Sequence, residues 1–323
     1  MWLDRSKNSF IWRERRIMKT NAWFYLKKNK AAMTGIVVIA IISVLALIGP
    51  YLSTHSQVEQ NLEHANLPPK MPILEHFPFL GFDGKDIFGV DQYEKRGINE
   101  YYWFGTDELG RDLWARTWHG ARISLYIAIL AAIIDCVIGV TYGGISAYYG
   151  GRIDNFMQRI IEILVGIPSL IIIILFILVL KPGIMSITLA MVMTGWVGMA
   201  RIVRAQVLKL KEQEYVLAAK TLGATSKRLL LNHLIPNTLG AIIITTMFTI
   251  PGAIFTEAFL SFIGLGLRPP IASLGTLVND GFRLMKIYPH MMVIPTVIIS
   301  MLMISFNLLG DGLRDVLDPR MRN

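Results

Sequence analysis

Apolar residues in this chain are gathered into long runs separated by polar segments. A helix needs roughly 20 mainly apolar residues to cross a bilayer, because lipid offers no hydrogen-bond partner to unpaired backbone groups. We therefore predict an all-α integral membrane protein with six transmembrane helices: Ala32 to Leu52, Ile123 to Ala147, Ile160 to Leu180, Ile184 to Val203, Leu239 to Phe262 and Met291 to Leu309. An even number of spans puts both termini on one side.

The same pattern divides the chain into five segments. They are an N-terminal segment (1–31), a first span (32–52), an external loop (53–122), a core of spans two to six (123–310) with a polar loop inside it (204–237), and a tail (311–323). Aromatic and basic residues alternate before the first span, which is typical of an anchor helix lying at the membrane surface. The first apolar run is too long for a signal-peptide core, so we expect it to be retained.

Lys and Arg residues indicate which segments face the cytoplasm. Of the 32 Lys and Arg residues, 21 lie in the N-terminal segment, the link after the second span, the polar loop after the fourth span and the tail. By the positive-inside rule these four segments are cytoplasmic. The loop between the first two spans carries 11 acidic residues against 6 basic ones between Ser53 and Gly120, so we place it outside.

Composition supports a multispanning protein and argues against nucleic acid as a partner. Hydrophobic residues make up 53% of the 323 residues and charged residues only 17%. The net charge of +9 is spread over segments between apolar runs, whereas nucleic-acid binding requires a basic folded face. The single cysteine, Cys136, lies in an apolar run and is expected to pack as a small hydrophobe.

The chain contains none of the common catalytic or nucleotide-binding motifs. There is no GxxxxGK[ST] phosphate loop, no HExxH, no CxxC and no GxSxG, and the six histidines are scattered. We therefore predict no catalytic residue, no metal site and no cofactor.

Three carboxylates lie at bilayer depth in the predicted spans: Asp135, Glu162 and Glu257. A carboxylate facing lipid there is costly, so each is expected to face protein or water. Glu162 follows Arg159 by three residues on one helical face, which predicts an ion pair. Asp135 and Glu257 have no sequence-local partner and, with Ser261, are candidates for a translocation path. A proton-coupled secondary transporter using these two carboxylates is an alternative from another class.

A helical hairpin is predicted within the polar loop. Good helix formers run from Glu214 to Leu222, with Tyr215, Ala218, Ala219 and Leu222 on one face. Gly223 suits a left-handed C-terminal cap, and Thr225 or Ser226 can cap the next helix, which we expect to end or bend before Pro236. Composition leaves two interpretations open: a helix lying on the membrane surface, or a knob inserted into a socket on a soluble partner.

The order of residues in this hairpin resembles the loop of permease subunits of ABC importers. That pattern is Glu-Ala-Ala, three residues, Gly, nine residues, Ile, one residue, Leu-Pro. Leu217 stands here where the glutamate is usual. A longer form resembles the oligopeptide, dipeptide and nickel permease family, C-type subunit. Its matches are Glu214, Tyr215, Val216, Ala218, Ala219, Gly223, Ala224, His233, Pro236 and Asn237.

Other segments are similar to the same family in the same order, and the resemblance covers almost the whole chain outside the interior of the external loop. They are FGTDELGRDLWARTWHGARISL, YYGGRIDNFMQRIIEILVGIPSL, FTEAFLSFIGLGLRPPIASLGTLVNDG and GDGLRDVLDPR. In the first of these, the pairs Asp107 with Arg111 and Asp112 with Arg116 are spaced to stiffen a helix.

The resemblance implies a type I ABC importer permease fold with a cytoplasmic coupling helix, in a bacterial plasma (inner) membrane with both termini cytoplasmic. It implies three kinds of partner: a homologous permease subunit forming a heterodimer, two cytoplasmic ATP-binding subunits, and an extracellular substrate-binding protein. The expected substrate is an oligopeptide, with dipeptides and nickel complexes as alternatives. An ABC exporter half would have longer cytoplasmic helices. The residues expected to couple to the ATPase are Glu214, Tyr215, Ala218, Ala219, Gly223, Ala224, His233 and Pro236.

Overall fold

The computed structural model describes residues 23–72, 74–77, 81–181 and 183–317. Within those ranges the backbone is mainly helical, and the only β-type pairings are isolated bridges. The helices are α1 Lys30–Ile48, α2 Gln92–Arg96, α3 Leu113–Tyr149, α4 Gly151–Gly166, α5 Ser169–Leu180, α6 Ile184–Lys211, α7 Glu214–Thr221, α8 Ser226–Leu265, α9 Leu274–Leu284 and α10 His290–Leu317. Helix α8 contains two π-helical stretches, Leu229–Leu234 and Ser261–Leu265.

Six candidate spans are present in the described residues if one bent pair is counted once. Helices α1, α3, α6, α8 and α10 are each long and apolar enough to cross a membrane, and α4 with α5 passes only as a pair bent by 83°. The prediction of one continuous third span, Ile160 to Leu180, is therefore wrong. Pro168 has no N–H and forces Ile167 into an extended conformation (φ −99°, ψ 129°), which breaks the helix.

The bundle has two ends, which we name the cap end and the hairpin end. At the cap end, α1 finishes beside the start of α3, where the Trp114 indole N–H donates to the Gly49 carbonyl at 2.8 Å. At the hairpin end, α3 finishes beside the end of α6, where Lys211 Nζ donates to the Tyr148 carbonyl at 2.6 Å. The start of α1 and the end of α10 both lie at the hairpin end. The side chains of Asn29 and Asp315 are joined there by a 3.3 Å hydrogen bond.

Helices α3 and α6 form the most extensive helix pair. They approach closely because α3 carries a Gly-x-x-x-Gly spacing, Gly139 and Gly143, on the face towards α6. A Cβ placed on Gly139 would come 2.6 Å from the Met199 Cβ, and one on Gly143 would overlap the Ala200 carbonyl oxygen. This contact fixes the position of α6, and the hairpin follows directly from the end of α6.

The described residues of the segment 53–112 form a compact layer, the cap, over one end of the bundle. Its small core contains Leu67, Tyr93 and Tyr102, each at most 3% exposed. The Tyr93 hydroxyl donates to the Pro68 carbonyl at 2.8 Å, and the Thr106 hydroxyl accepts the Leu67 N–H at 2.8 Å. The predicted external loop is thus an ordered layer across its described residues.

Helix α3 begins at Leu113, ten residues before the predicted second span. Asp112 is its N-cap, and its carboxylate accepts the N–H groups of Trp114 and Ala115 at 3.2 Å. The expected ion pair of Asp112 with Arg116 does not form, because the capping carboxylate is turned towards the helix N-terminus. Arg116 Nε instead lies 3.2 Å from Asp107 Oδ2. The predicted pair of Asp107 with Arg111 forms at 2.7 Å, but both residues precede the first residue of α3.

Parts of two predicted segments lie outside the described residues. These are residues 1–22, which hold most of the predicted anchor helix, and residues 318–323 of the tail. Residues 23–28 are helical, with the Trp23 and Phe24 side chains exposed. The ammonium groups of Lys27 and Lys28 lie 5.3 and 4.5 Å from the centres of those two rings. This is the aromatic and basic pairing expected at a membrane surface.

Candidate functional site

The turn between α7 and α8 is a Schellman motif built on a glycine. Gly223 has φ of +83°, the left-handed conformation that a side chain disfavours. Its N–H donates to the Lys220 carbonyl at 3.0 Å, and the Ala224 N–H donates to the Ala219 carbonyl at 3.1 Å. Thr225 then caps α8, its hydroxyl accepting the Arg228 N–H at 3.4 Å. The predicted glycine cap is confirmed.

Helix α7 buries one face against the bundle and leaves the other exposed. Val216 is only 3% exposed and packs with Leu229 and Leu234 of α8 and Val207 of α6. Leu222 is 88% exposed. The predicted face of Tyr215, Ala218, Ala219 and Leu222 is the outward one, with three of the four residues exposed, and Val216 on the opposite side anchors the helix to the bundle.

The exposed surface of the hairpin is mostly polar but carries two large aliphatic side chains. Leu217 and Leu222 are 51% and 88% exposed, and Lys220 is exposed beside them. Leu217 is the position at which the family pattern has glutamate, so this departure enlarges the apolar surface. We name Leu217 and Leu222 the docking face.

Tyr215 and Asn237 connect α7 to the start of α8. The Asn237 amide donates to the Tyr215 hydroxyl at 3.2 Å and to the His233 carbonyl at 2.6 Å. Partial burial raises the pKa of the Tyr215 phenol above its ordinary value, so the hydroxyl remains protonated at neutral pH. Two residues of the matched pattern that are far apart in sequence thus meet at the hairpin base.

Helix α8 continues through Pro236, contrary to the predicted end or bend there. The π-helical stretch before it, which includes His233, changes the hydrogen-bond register, and the Ile235 N–H donates to the Leu230 carbonyl. Pro236 then falls in the first turn of the following α-helical stretch, where a missing N–H is tolerated. The hairpin is therefore continuous with the long span α8.

An ion pair that the sequence analysis missed fixes the hairpin end of the bundle. The Arg204 guanidinium donates two hydrogen bonds to Asp154, at 2.7 and 2.6 Å, and the Ser146 hydroxyl donates to the same carboxylate at 2.5 Å. These residues belong to α6, α4 and α3. The sequence pattern could have indicated this pair, because Asp154 and Arg204 carry opposite charges and lie in segments assigned to the same side of the membrane.

The three candidate path residues fall into two separate places. Asp135 lies on the wall of a cavity between α3, α5, α6 and α8. Glu257 is fully buried, and its carboxylate accepts hydrogen bonds from Ser124 at 2.7 Å and Ser261 at 2.8 Å. Ser124 also accepts the Leu274 N–H at 3.2 Å, so this cluster joins α8, α3 and α9 at the cap end.

Glu162, the third carboxylate at bilayer depth, is paired as expected. Arg159 Nη1 lies 2.6 Å from Glu162 Oε2, and both side chains are more than half exposed. The pair is a surface feature of α4.

Two family descriptions match this chain. Residues 139–323 match the binding-protein-dependent transport system inner membrane component family, and residues 20–69 match the N-terminal TM domain of oligopeptide transport permease C. These ranges include the hairpin, α3 in part, and α1.

Several curated proteins are similar over nearly the whole chain. The dipeptide transport system permease protein DppC of Bacillus subtilis (strain 168) is 48% identical over 303 residues, covering 94% of this chain and 86% of that protein. The oligopeptide transport system permease protein OppC of the same organism is 45% identical, covering 94% and 90%. The OppC protein of Escherichia coli (strain K12) is 33% identical, covering 91% and 88%.

A solved structure supports the fold. A chain of the MetNI methionine ABC transporter, in an inward-facing conformation, aligns with a TM-score of 0.52 at 16% identity, covering 62% of this chain and 94% of that one. At that identity the likeness bears on the architecture of the helices alone.

Proposed function

We propose that this chain, which belongs to the family of inner membrane components of binding-protein-dependent transport systems, is the C-type translocation subunit of an ATP-driven peptide importer. The similar proteins are named as dipeptide and oligopeptide transport permeases, which supports a peptide as the substrate. Oligopeptides are our first assignment, and dipeptides fit the same relatives. Covalent chemistry is assigned to the ATP-binding partners.

The proposed assembly contains a homologous permease subunit, two cytoplasmic ATP-binding subunits and an external binding protein. The hairpin end faces the cytoplasm, because the loops assigned to it carry most of the Lys and Arg residues. The cap then faces outside, where the binding protein delivers substrate. In this orientation the start of α1 and the end of α10 both lie on the cytoplasmic side.

One observation carries the coupling proposal: an exposed apolar docking face sits on a rigid turn anchored to two spans. Leu222 extends from the Schellman turn, while Val216 ties α7 to α6 and α8. Movement of an ATP-binding subunit against Leu222 is transmitted through this anchor because closely packed helices shift as units. Lys220 beside the docking face adds charge complementarity for an acidic socket.

Cross-linking tests the docking face directly. In a Cys136→Ala background, Leu222→Cys is expected to cross-link to an ATP-binding subunit in the assembled transporter, and Val216→Cys, which faces the bundle, is the matched control expected to remain unlinked. The same preparation in proteoliposomes is expected to take up peptide only with ATP. Links from Val216→Cys alone, or none from Leu222→Cys, would contradict the docking assignment. Uptake by the purified chain driven by a pH gradient would support the proton-coupled carrier instead.

The cap is expected to contact the external binding protein. Leu62 and Phe88 are large apolar side chains that are 70% and 79% exposed on the cap. Leu62→Cys and Phe88→Cys should cross-link to peptide-loaded binding protein added from outside. Leu67→Cys, in the cap core and fully buried, should not. Absence of links from both exposed positions would count against a delivery role for the cap.

Glu257 and Ser261 have a positioning role in this proposal. The Glu257 carboxylate accepts hydrogen bonds from Ser124 and Ser261, and Ser124 accepts the Leu274 N–H, which holds the outer end of α8 against α3 and α9. We assign contact with the passing substrate to the cavity that contains Asp135.

A further inference from the structure

A cavity of about 430 Å³ opens at the surface of the described bundle, and Phe255 and Phe259 of its lining are 56% and 38% exposed. Its wall is formed by α3, α5, α6 and α8, and it includes Ser169, the first residue of α5. Small-molecule sites occupy about 300 to 1,000 Å³, so the volume fits part of a short peptide. Thr194, Thr249 and Thr256 bring hydroxyl groups to an otherwise largely apolar wall.

Asp135 lies on this wall, and one of its oxygen atoms is unpaired. The residue is 5% exposed, and Oδ1 has no hydrogen-bond partner within the described part of the chain. The carboxylate occupies the space next to Gly195, where a Cβ would overlap Oδ2. A buried polar group without a partner is uncommon in folded proteins, and at bilayer depth it is a signature of a ligand pathway.

The neighbouring hydroxyl groups present acceptors to the cavity. The Thr249 hydroxyl donates its proton to the Thr245 carbonyl at 3.0 Å, and the Thr256 hydroxyl donates to the Gly252 carbonyl at 2.8 Å. Each oxygen therefore keeps lone pairs that accept from a bound group. A carboxylate that shares a cavity wall with these acceptors suits a ligand that carries several N–H donors.

Among the described residues that line the cavity, none is Lys or Arg. Arg122 is 13 residues before Asp135 on α3, about 20 Å along the helix axis at 1.5 Å per residue. The first turn of α5, at Ser169 and Leu170, also lines the cavity, and its N–H groups favour negative charge. A positive group that pairs with Asp135 therefore comes from outside this lining. A molecule with charges of both signs fits Asp135 with its positive group and the first turn of α5 with its negative group.

We propose that Asp135 binds the protonated amino group of the transported peptide during its passage. The ammonium group has three donors, which match the carboxylate and the threonine hydroxyl oxygens. This inference rests on the proposed function for the identity of the ligand. The cation site itself follows from the carboxylate and the cavity.

A cysteine at the cavity wall measures its charge selectivity. Thr256→Cys in the Cys136→Ala background, in the assembled transporter in nanodiscs, is modified by a cationic trimethylammonium-ethyl and by an anionic sulfonatoethyl methanethiosulfonate. We expect the ratio of the two rates to fall about tenfold on adding Asp135→Asn, since one nearby charge is removed. Asp135→Glu is expected to restore the ratio. Glu162→Gln, in the exposed pair on α4, is the control that leaves it unchanged.

Peptide protection identifies the group that Asp135 recognises. In the background with Asp135 intact, trialanine is expected to slow modification of the cysteine at lower concentration than N-acetyl-trialanine does. Asp135→Asn should make the two peptides equal. Equal protection by both peptides with Asp135 intact would overturn the proposal, and that measurement needs no Asp135 variant to fold.

The outcomes separate this inference from the proposed function. An unchanged rate ratio in Asp135→Asn, with ATP-driven uptake normal, rejects the cation site and keeps the importer. Charge-selective modification with selective protection by trialanine, but without ATP-driven uptake, rejects the importer and keeps the site. The cysteine measurements do not require ATP.

Discussion

Gly223→Pro is expected to abolish ATP-driven uptake by the assembled transporter while leaving the membrane bundle folded. Gly223 has φ of +83° and donates its N–H to Lys220. Proline fixes φ near −65° and has no N–H, which together cost about 3 kcal/mol or more. At tenfold per 1.4 kcal/mol, the population of the intact turn falls about a hundredfold. The docking face then loses its rigid support.

Initial rates of labelled-peptide uptake and of peptide-stimulated ATP hydrolysis in proteoliposomes are the measurements, with the amount of assembled complex checked by size exclusion. We expect uptake to fall at least about tenfold, because the turn fixes the position of Leu222 between α7 and α8. Gly223→Asn is the matched control, since asparagine tolerates the left-handed conformation, and it should retain most of the activity. Near-normal uptake in the proline variant at normal assembly would show that coupling runs elsewhere.

Gly143→Ala is expected to destabilise the purified chain by about 2 to 3 kcal/mol, the cost of overpacking a close contact. The added methyl group would overlap the Ala200 carbonyl oxygen and lie 3.0 Å from the Arg204 backbone nitrogen. Both atoms belong to the backbone of α6, so a side-chain rotation does not relieve the contact. The helices must separate, which also disturbs the Arg204 ion pair with Asp154.

Thermal unfolding in detergent micelles measures this effect as a lower midpoint. Gly198→Ala is the matched control, because a Cβ at Gly198 meets open space. Its midpoint should stay the same or rise slightly, since alanine is a better helix former than glycine by about 0.5 to 1 kcal/mol. Equal losses in the two variants would refute the close-packing explanation.

The spans and the glycine turn could be predicted from sequence because each follows from local physical rules. A long apolar run must be helical in lipid, and a glycine after a helix with a threonine behind it defines a cap. The break at Pro168 follows from the same kind of local rule, because proline disfavours a helical conformation in the residue before it. The prediction of a continuous third span used only the length of the apolar run and ignored this proline.

The packing around the hairpin could not be predicted in this way because it depends on contacts distant in sequence. Val216 is buried because it shares a cluster with Val207 of α6 and Leu229 of α8, contacts that the helical pattern of α7 alone does not reveal. The Asp154 and Arg204 pair joins residues 50 positions apart. Similarly, Asp112 was expected to pair within its helix, but the helix N-terminus competes for the same carboxylate.

Helix α5 has 12 residues and therefore extends only about 18 Å, whereas the hydrocarbon layer is about 30 Å thick. Its companion α4 is bent away by 83° and therefore adds little length along the axis of α5. An isolated copy consequently leaves a notch in the lipid layer, where acyl chains must thin or water must enter, at an energetic penalty. In the proposed assembly, the homologous permease subunit covers that notch and relieves the penalty, so we expect membrane deformation itself to favour association of the two subunits before any cargo arrives.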